Sequence, residues 1–366
     1  MNILSKIMPA LLLVLLVLLT AGCCIDQEKY QVVLLGDLHY DSADLRTNVD
    51  KLKPRHYREM HRNMAAWEKN IPAVLKAAAD YANNNDVLFT VQCGDITQGD
   101  EGKYQFAATS FERVLNLVNK DQTKPVYIVR GNHDVRGAGK EKACSDVLFS
   151  YMKKQDVLFP EDATDQTCYK IVGKDLFIFF DGMKDSLKSV ETALQAKPDA
   201  RHIFLVTHIP VMPCQFSPSS IGWICGKYSN VQNGDKIRAL LAKHNVIVLT
   251  AHIHRTTYFD WKLPEGSIKQ FSSFSIVADP AAKPEKVVFT GDEYFKYFAE
   301  NFYPKQKEKD RAALHNFLQR YMGKLNSCIN FKKVTGFNVL RIDGDKVFVD
   351  MYCGKLDKAA FTQQIK

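Results

Sequence analysis

Asp, His and Asn side chains recur in short motifs that are poor in structural justification and rich in chemistry. Asp37 and His39 stand in GDLHYD and Asp95 in CGDITQGD. Asn132, His133 and Asp134 stand together in RGNHDVRG. His208 lies in THIP, and His252 and His254 in AHIH. These types supply nitrogen and oxygen donors suited to first-row metals, with no thiolate among them. Asp37-x-His39 and His252-x-His254 each place two donors on one side of an extended segment. A carboxylate has two oxygens and can bridge two ions. Two metals ~3.5–4 Å apart would clamp a phosphoryl group and hold a hydroxide for in-line attack. Glycines beside Asp37, Asp95 and Asn132 permit tight turns and close approach. Taken singly, each motif has a bland explanation: Gly-Asp is usually a turn, and a histidine after a strand is more often structural. GNHD is stronger, because no helix or strand requires it.

The elements that must position these residues are legible as apolar, β-branched runs. They are Tyr30–Leu35, Val87–Gln92, Pro125–Val129, Leu176–Phe180, His202–Val206 and Val246–Thr250. All but the fourth are followed directly by one of the polar motifs. In open α/β sheets, sites form outside the carboxyl ends of strands, so neighbouring strands would bring the side chains to one rim. Helical periodicity marks Arg58–Ala82, with Pro72 as a kink, and also Phe106–Val118 and Lys236–Lys243. Strands alternating with helices indicate an α/β domain, and continuous apolar runs indicate strands buried on both faces.

The C-terminal third reads differently. Asp292–Met322 has helical character broken near Pro304, with Tyr294, Tyr297, Phe298 and Phe302 on one face as core residues. Gly336–Cys353 alternates as a hairpin about an Asp343-Gly344 turn.

Bulk properties set the class. The chain has 366 residues, 46% of them hydrophobic and 25% charged, which is ample for a packed core. The net charge of +8 is spread along the chain, so no nucleic-acid partner is expected. At the N-terminus, Lys6 precedes the apolar run Pro9–Cys24. The ending Leu19-Thr20-Ala21-Gly22-Cys23 resembles a bacterial lipobox, which makes residues 1–23 a lipoprotein signal peptide and Cys23 the lipidated terminus. The expected location is outside the cytosol, membrane-anchored, in the periplasm or on the cell surface. Export permits disulfides. The sequence-near pairs are Cys144–Cys168, Cys214–Cys225 and Cys328–Cys353, while Cys93, in an apolar run, reads as a buried thiol.

In order and combination the motifs resemble those of the calcineurin-like metallophosphoesterases, over about Tyr30 to Arg255. The resemblance implies an α/β fold: a two-sheet β-sandwich flanked by helices in four layers. The single domain would span 29–356, with a helical insertion at 287–330 and a closing hairpin at 336–353. It implies two metal ions, Mn, Fe or Zn. Asp37, His39 and His254 would hold one, Asn132, His208 and His252 the other, and Asp95 would bridge them. His133 would be no ligand but would sit beside the phosphate, stabilise developing charge and protonate the leaving oxygen, with Asp134 orienting it. His56, His61, His202, His244 and His315 fall outside the set.

The chain departs from the family pattern in places. Ala251 replaces the glycine that often precedes the last His-x-His, where a positive φ would be costly. Gln98 stands where the serine/threonine protein phosphatases carry an Asp paired to the catalytic His, and GNHD replaces their GNHE. Both point away from a protein phosphatase and toward hydrolysis of small exported phosphate mono- or diesters. The alternatives are a phospholipid or sphingolipid phosphodiesterase at the membrane surface and a non-catalytic binding lipoprotein. For the substrate, Tyr40 and Asp41 beside His39 are candidate pocket residues. The long segment after His208 offers Trp223, with Phe216 and Tyr228, to stack on a base or sugar.

Overall fold

Each apolar run picked out above becomes a strand in a computed structural model of the protein. It describes residues 28–366 apart from 48, 162–164, 185, 214–230, 277–284, 303–319 and 333–334. The first half runs β1 (Lys29–Leu35), α1 (Pro54–Lys69), α2 (Ile71–Asn84), β2 (Val87–Gln92), α3 (Tyr104–Asn119) and β3 (Val126–Ile128). A helical run follows, α4, from Lys140–Ala143 through a π-helical turn at Cys144–Phe149 to Ser150–Lys153. Then come β4 (Cys168–Val172), β5 (Asp175–Phe179), α5 (Leu187–Gln195), β6 (Ile203–Val206), α6 (Val231–Lys243) and β7 (Ile247–Thr250). The chain continues with β8 (Thr256–Leu263), β9 (Gly266–Ser272), β10 (Glu285–Thr290), α7 (Glu293–Phe302) and β11 (Leu325–Lys332). It ends with β12 (Gly336–Asp343), β13 (Lys346–Cys353) and β14 (Phe361–Gln364).

The strands form two sheets. One has the order β14-β13-β12-β1-β2-β3, the other β10-β11-β8-β9-β7-β6-β5-β4. Their facing sides share one core: Phe89 meets Phe177 edge-on at 5.2 Å and Tyr127 meets Phe179 at the same centroid distance. Apolar residues of α2 and α3, such as Val74, Ala78 and Phe111, join that core from the outer side of the six-stranded sheet. On the outer side of the eight-stranded sheet, Val190 and Leu194 of α5 and Ile237 and Leu241 of α6 pack with Leu205, Val248 and Trp261. The layers are therefore helix, sheet, sheet, helix, as expected. The inner strands β6 and β7 are buried along their whole length, which explains their unbroken apolar sequence.

Several expectations need correction. The single helix foreseen over Arg58–Ala82 is two helices meeting at Asn70. Pro72 lies in the first turn of α2, where a missing N–H costs nothing. The stretch 287–330, foreseen as helical, enters and leaves as strand. β10 and β11 pair with one another, and β11 pairs with β8. The hairpin at 336–353 is present, but Asp343 pairs with Lys346, so the connecting residues are Gly344 and Asp345, with Gly344 at φ 59°. Cys144 and Cys168 are buried free thiols rather than a disulfide. Cys353 is also a free thiol, and Cys328 lies on the other sheet, in β11, so that pair is not formed either. Cys93 is a buried thiol as foreseen. Cys214–Cys225, Trp223, Phe216, Tyr228, the break near Pro304 and the N-terminal leader lie outside the described residues, as do the side chains of Phe298 and Phe302, whose backbone belongs to α7.

Candidate functional site

Parallel pairing brings the motifs together. β1, β2 and β3 run parallel in one sheet, and β5, β6 and β7 in the other. Their carboxyl ends therefore release Asp37, Asp95 and Asn132 from one sheet and His208, His252 and His254 from the second. The two sets meet at the same rim. Asp95 Oδ2 lies 3.1 Å from His208 Nε2 and 3.9 Å from His39 Nε2. Asp37 Oδ1 lies 4.0 Å from His39 Nε2 and 3.9 Å from His254 Nε2. His39 Nε2 and His254 Nε2 are 3.0 Å apart. On the far side, His208 Nε2 lies 3.2 Å from both Asn132 Oδ1 and His252 Nδ1.

The backbone is bent to achieve this. His39, Asp95, His252 and His254 all have positive φ, between 45° and 69°, a region that costs a non-glycine residue about 1–3 kcal/mol. The strain falls on His252 and not on Ala251, which is absent from the positive-φ residues, so alanine there carries no positive-φ penalty. Two glycines are indispensable. A Cβ on Gly131 would stand 2.2 Å from Asp95 Oδ1, and one on Gly94 (φ 93°) would stand 2.6 Å from the His208 ring.

The donor arrangement forms two sets around one carboxylate. Asp37, His39 and His254 converge on one side, and Asp95, His208 and His252 on the other, each set with its ligand atoms within 4.8 Å. Asn132 joins the second set, and Asp95 lies between them. The Asp37 carboxylate is fully buried, and neither oxygen has a hydrogen-bond donor among the described residues. A buried carboxylate without a partner is severely unfavourable, and a nearby cation resolves it. The nitrogen and oxygen donors fit first-row ions.

Outer contacts fix the ligand atoms. His208 Nδ1 bonds the carbonyl of Cys93 at 2.9 Å, so Nε2 faces the cluster. Asp95 Oδ1 accepts the His133 backbone N–H at 2.7 Å, which leaves Oδ2 turned inward. Electrostatics follow the geometry. Burial pushes the Asp37 carboxyl up. Burial would also raise Asp95, but the His208, His133 and His39 imidazoles hold it well below the usual carboxylate range. Burial lowers His252 to about 3, helped by repulsion from His208. His208 is opposed by burial yet pushed up to about 9 by Asp95.

Three assignments change. Asp134 does not touch His133. Its buried carboxylate accepts the N–H groups of Gly131 (2.9 Å), Thr97 (3.0 Å) and Ile96 (3.3 Å) and the Thr97 hydroxyl (2.9 Å), tying the GNHD turn to the loop after β2. Burial and the neighbouring Asp95 push its carboxyl up to about 6 against those bonds. His133 is held instead by Gln98, whose backbone carbonyl lies 2.8 Å from Nδ1. Asp41 is no open pocket group, since its oxygens are bonded by Arg46 at 2.7 and 2.8 Å. Tyr40 is half-buried and sets its ring edge-on to Trp67 at 5.0 Å, while Trp67 Nε1 donates to the carbonyl of Leu38 beside His39. Arg136 is not among the site residues chosen from the sequence, yet its Nη1 lies 3.3 Å from His133 Nε2. Its place within RGNHDVRG was the available signal. Arg130 is spent on a buried pair with Asp181.

A four-layer sandwich with clustered His, Asp and Asn donors at its strand ends is the architecture of a metal-dependent hydrolase. The chain belongs to the calcineurin-like phosphoesterase family, whose sequence model matches residues 30–256. It is a phosphoric ester hydrolase of that family. Solved structures with the same fold include PhoD (TM-score 0.53, 9% identity, 92% of this chain and 68% of that one). Another is purple acid phosphatase PPD1 from yellow lupin seeds (0.51, 11%, 92% and 54%). A third is a dimetal phosphatase from Danio rerio (0.50, 11%, 92% and 98%). No curated protein matches the sequence.

Proposed function

We propose that the protein hydrolyses small phosphate mono- or diesters with two first-row ions, Mn, Fe or Zn. Asp37, His39 and His254 would hold one ion, Asn132, His208 and His252 the other, with Asp95 shared. Ions so held supply Lewis acidity toward the phosphoryl oxygens and an activated water. The protein's own part is orientation. Asp95 ties His133 by its backbone and Gln98 ties it by Nδ1, so Nε2 is left to face the substrate and deliver a proton to the leaving oxygen. The observation that carries this reading is the buried, donorless Asp37 carboxylate ringed by histidine nitrogens.

Lipobox-like residues before Cys23 support an exported, membrane-tethered protein, and tethering keeps a lipid phosphodiester open as a substrate. The test uses protein beginning after Cys24, stripped with chelator and restored with Mn²⁺, on nitrophenyl phosphate and bis-nitrophenyl phosphate. Metal-restored hydrolysis supports the reading, and the ratio of the rates sorts monoesters from diesters. Folded, metal-loaded protein inert on both and on sphingomyelin vesicles would support the non-catalytic alternative.

A further inference from the structure

We propose that Arg136 binds a non-bridging oxygen of the scissile phosphoryl group and that Asp100 is the positioning residue that aims it. This rests on the hydrolase reading above. The guanidinium stands on the substrate side of the acid: Nη1 is 3.3 Å from His133 Nε2. His133 Nδ1 is engaged by the Gln98 carbonyl, so Nε2 is the nitrogen that must serve the leaving oxygen. A guanidinium donating to that nitrogen blocks it in the resting enzyme. An anionic oxygen inserted between the two accepts from Arg136 and opens Nε2, which then takes up a proton from solvent and gives it to the leaving oxygen.

The clamp that holds Arg136 is built at a cost in backbone strain. Asp100 Oδ2 lies 2.7 Å from Arg136 Nε as an ion pair, and the Nε–H has no aligned acceptor among the described residues. The Asp100 N–H donates to the Arg136 carbonyl at 2.9 Å. Asp100 itself has φ 62°, between Gly99 at 78° and a facing Gly137 at 104°. A Cβ on Gly99 would stand 2.6 Å from the His133 carbonyl oxygen, and one on Gly137 2.9 Å from Asp100 Cα. Strain of this kind persists where the surroundings impose it, and it concentrates at functional sites. Here two loops, one following Asp95 and one following Asn132, are pressed together at the point that fixes Arg136. Arg130 differs from Arg136 in its partners and exposure. Its side chain is 4% exposed and fully paired with Asp181, whereas that of Arg136 is 29% exposed and has donors left for a ligand. Planar guanidinium groups bind phosphoryl oxygens well. An additional cation favours the dianionic phosphate of a monoester over the monoanion of a diester.

The experiment uses Mn²⁺-loaded enzyme with nitrophenyl phosphate, bis-nitrophenyl phosphate and inorganic phosphate as inhibitor. R136Q should retain the metal content. It should weaken phosphate inhibition and lower kcat/KM on the monoester by roughly ten- to a hundredfold, with a smaller loss on the diester. D100N should move the same quantities in the same direction by less, and R136K should recover part of the loss. R136Q with unchanged phosphate inhibition, or with equal losses on both esters, would overturn the proposal. If the wild type hydrolyses neither ester, the hydrolase reading fails by itself. Phosphate binding by calorimetry then decides the role of Arg136: weaker binding in R136Q supports it and unchanged binding overturns it.

Discussion

His133 Nδ1 lies 2.8 Å from the backbone carbonyl of Gln98, so the imidazole is oriented by main chain and not by a carboxylate. The Asp134 carboxylate, adjacent in sequence, bonds Thr97 of the same loop after β2 instead. The side chain of Gln98 is not used in this contact, and its buried Oε1 has no donor among the described residues. His133→Ala should keep both metals, measured by elemental analysis, and lose about 10²–10⁴-fold in kcat, the usual worth of general acid catalysis. Gln98→Ala should preserve the carbonyl and cost less than about tenfold in kcat, well short of that loss. A Gln98→Ala loss as large as that of His133→Ala would show that the side chain matters after all.

Asp134 should act on stability before chemistry. Its carboxylate accepts three backbone N–H groups and a hydroxyl. Asparagine offers one acceptor oxygen and turns an NH₂ toward a donor. Asp134→Asn should lower the unfolding free energy by about 2–3 kcal/mol, since buried groups are left unpaired. Denaturant titration of apo-protein reads this directly. A stability change below about 0.5 kcal/mol, the size of a neutral surface substitution, would contradict the bracing role.

Asp37 should show opposite effects with and without metal. In apo-protein its donorless carboxylate is destabilising. Removing the charge with Asp37→Asn should raise the apo melting temperature by a few degrees, about what 1 kcal/mol produces in a domain of this size. In the wild type, metal at a thousand times its Kd should add about 4 kcal/mol, and the variant should lose most of that gain. Scanning calorimetry with and without Mn²⁺ gives all four values. A lower apo melting temperature in the variant would mean that the carboxylate is satisfied without a cation.

Much of this was legible because strand periodicity and strand-end placement are local properties. The run Val87–Gln92 followed by Gly94-Asp95 carries its own instructions, and parallel pairing does the rest. What was missed depends on partners distant in sequence. The role of Asp134 depends on Ile96 and Thr97, and the absence of a Cys144–Cys168 bond depends on where α4 and β4 lie. The pairing of β11 with β8 joins residues that local pattern cannot connect. Helix periodicity ran straight through Asn70 because the apolar spacing continues while the backbone breaks.

The thiols offer a simple check. Cys93, Cys144, Cys168 and Cys353 are buried and unbridged, and burial pushes the Cys144 thiol up to about 12. An alkylating reagent should leave all four unmodified in the folded protein. In denaturant without reductant it should modify all four, as read by peptide mass. Protection of Cys144 and Cys168 in denaturant, relieved only by reductant, would restore the disulfide foreseen from spacing.

His202 should contribute to acid sensitivity away from the metal cluster. It is buried directly before β6, with Nε2 2.9 Å from the Gly344 carbonyl and Nδ1 3.0 Å from Lys366 Nζ. A lysine donating to Nδ1 and a carbonyl accepting from Nε2–H define a neutral ring, and burial lowers its pKa in the fold. The unfolded chain, near the ordinary value of about 6.5, takes up a proton first as pH falls. The contribution to stability is therefore complete above about pH 6.5 and is lost as pH drops from there through the lower folded value. The loss approaches at most about 1.4 kcal/mol per pH unit for one proton. Gln at this position can still donate to Gly344 but cannot titrate. Urea unfolding of metal-free wild type and His202→Gln at pH 7, 6 and 5 isolates the term, since the site histidines are common to both. The wild type should lose stability faster than the variant below pH 6.5. Parallel acid limbs would mean that His202 is protonated in the folded protein or free to reach solvent.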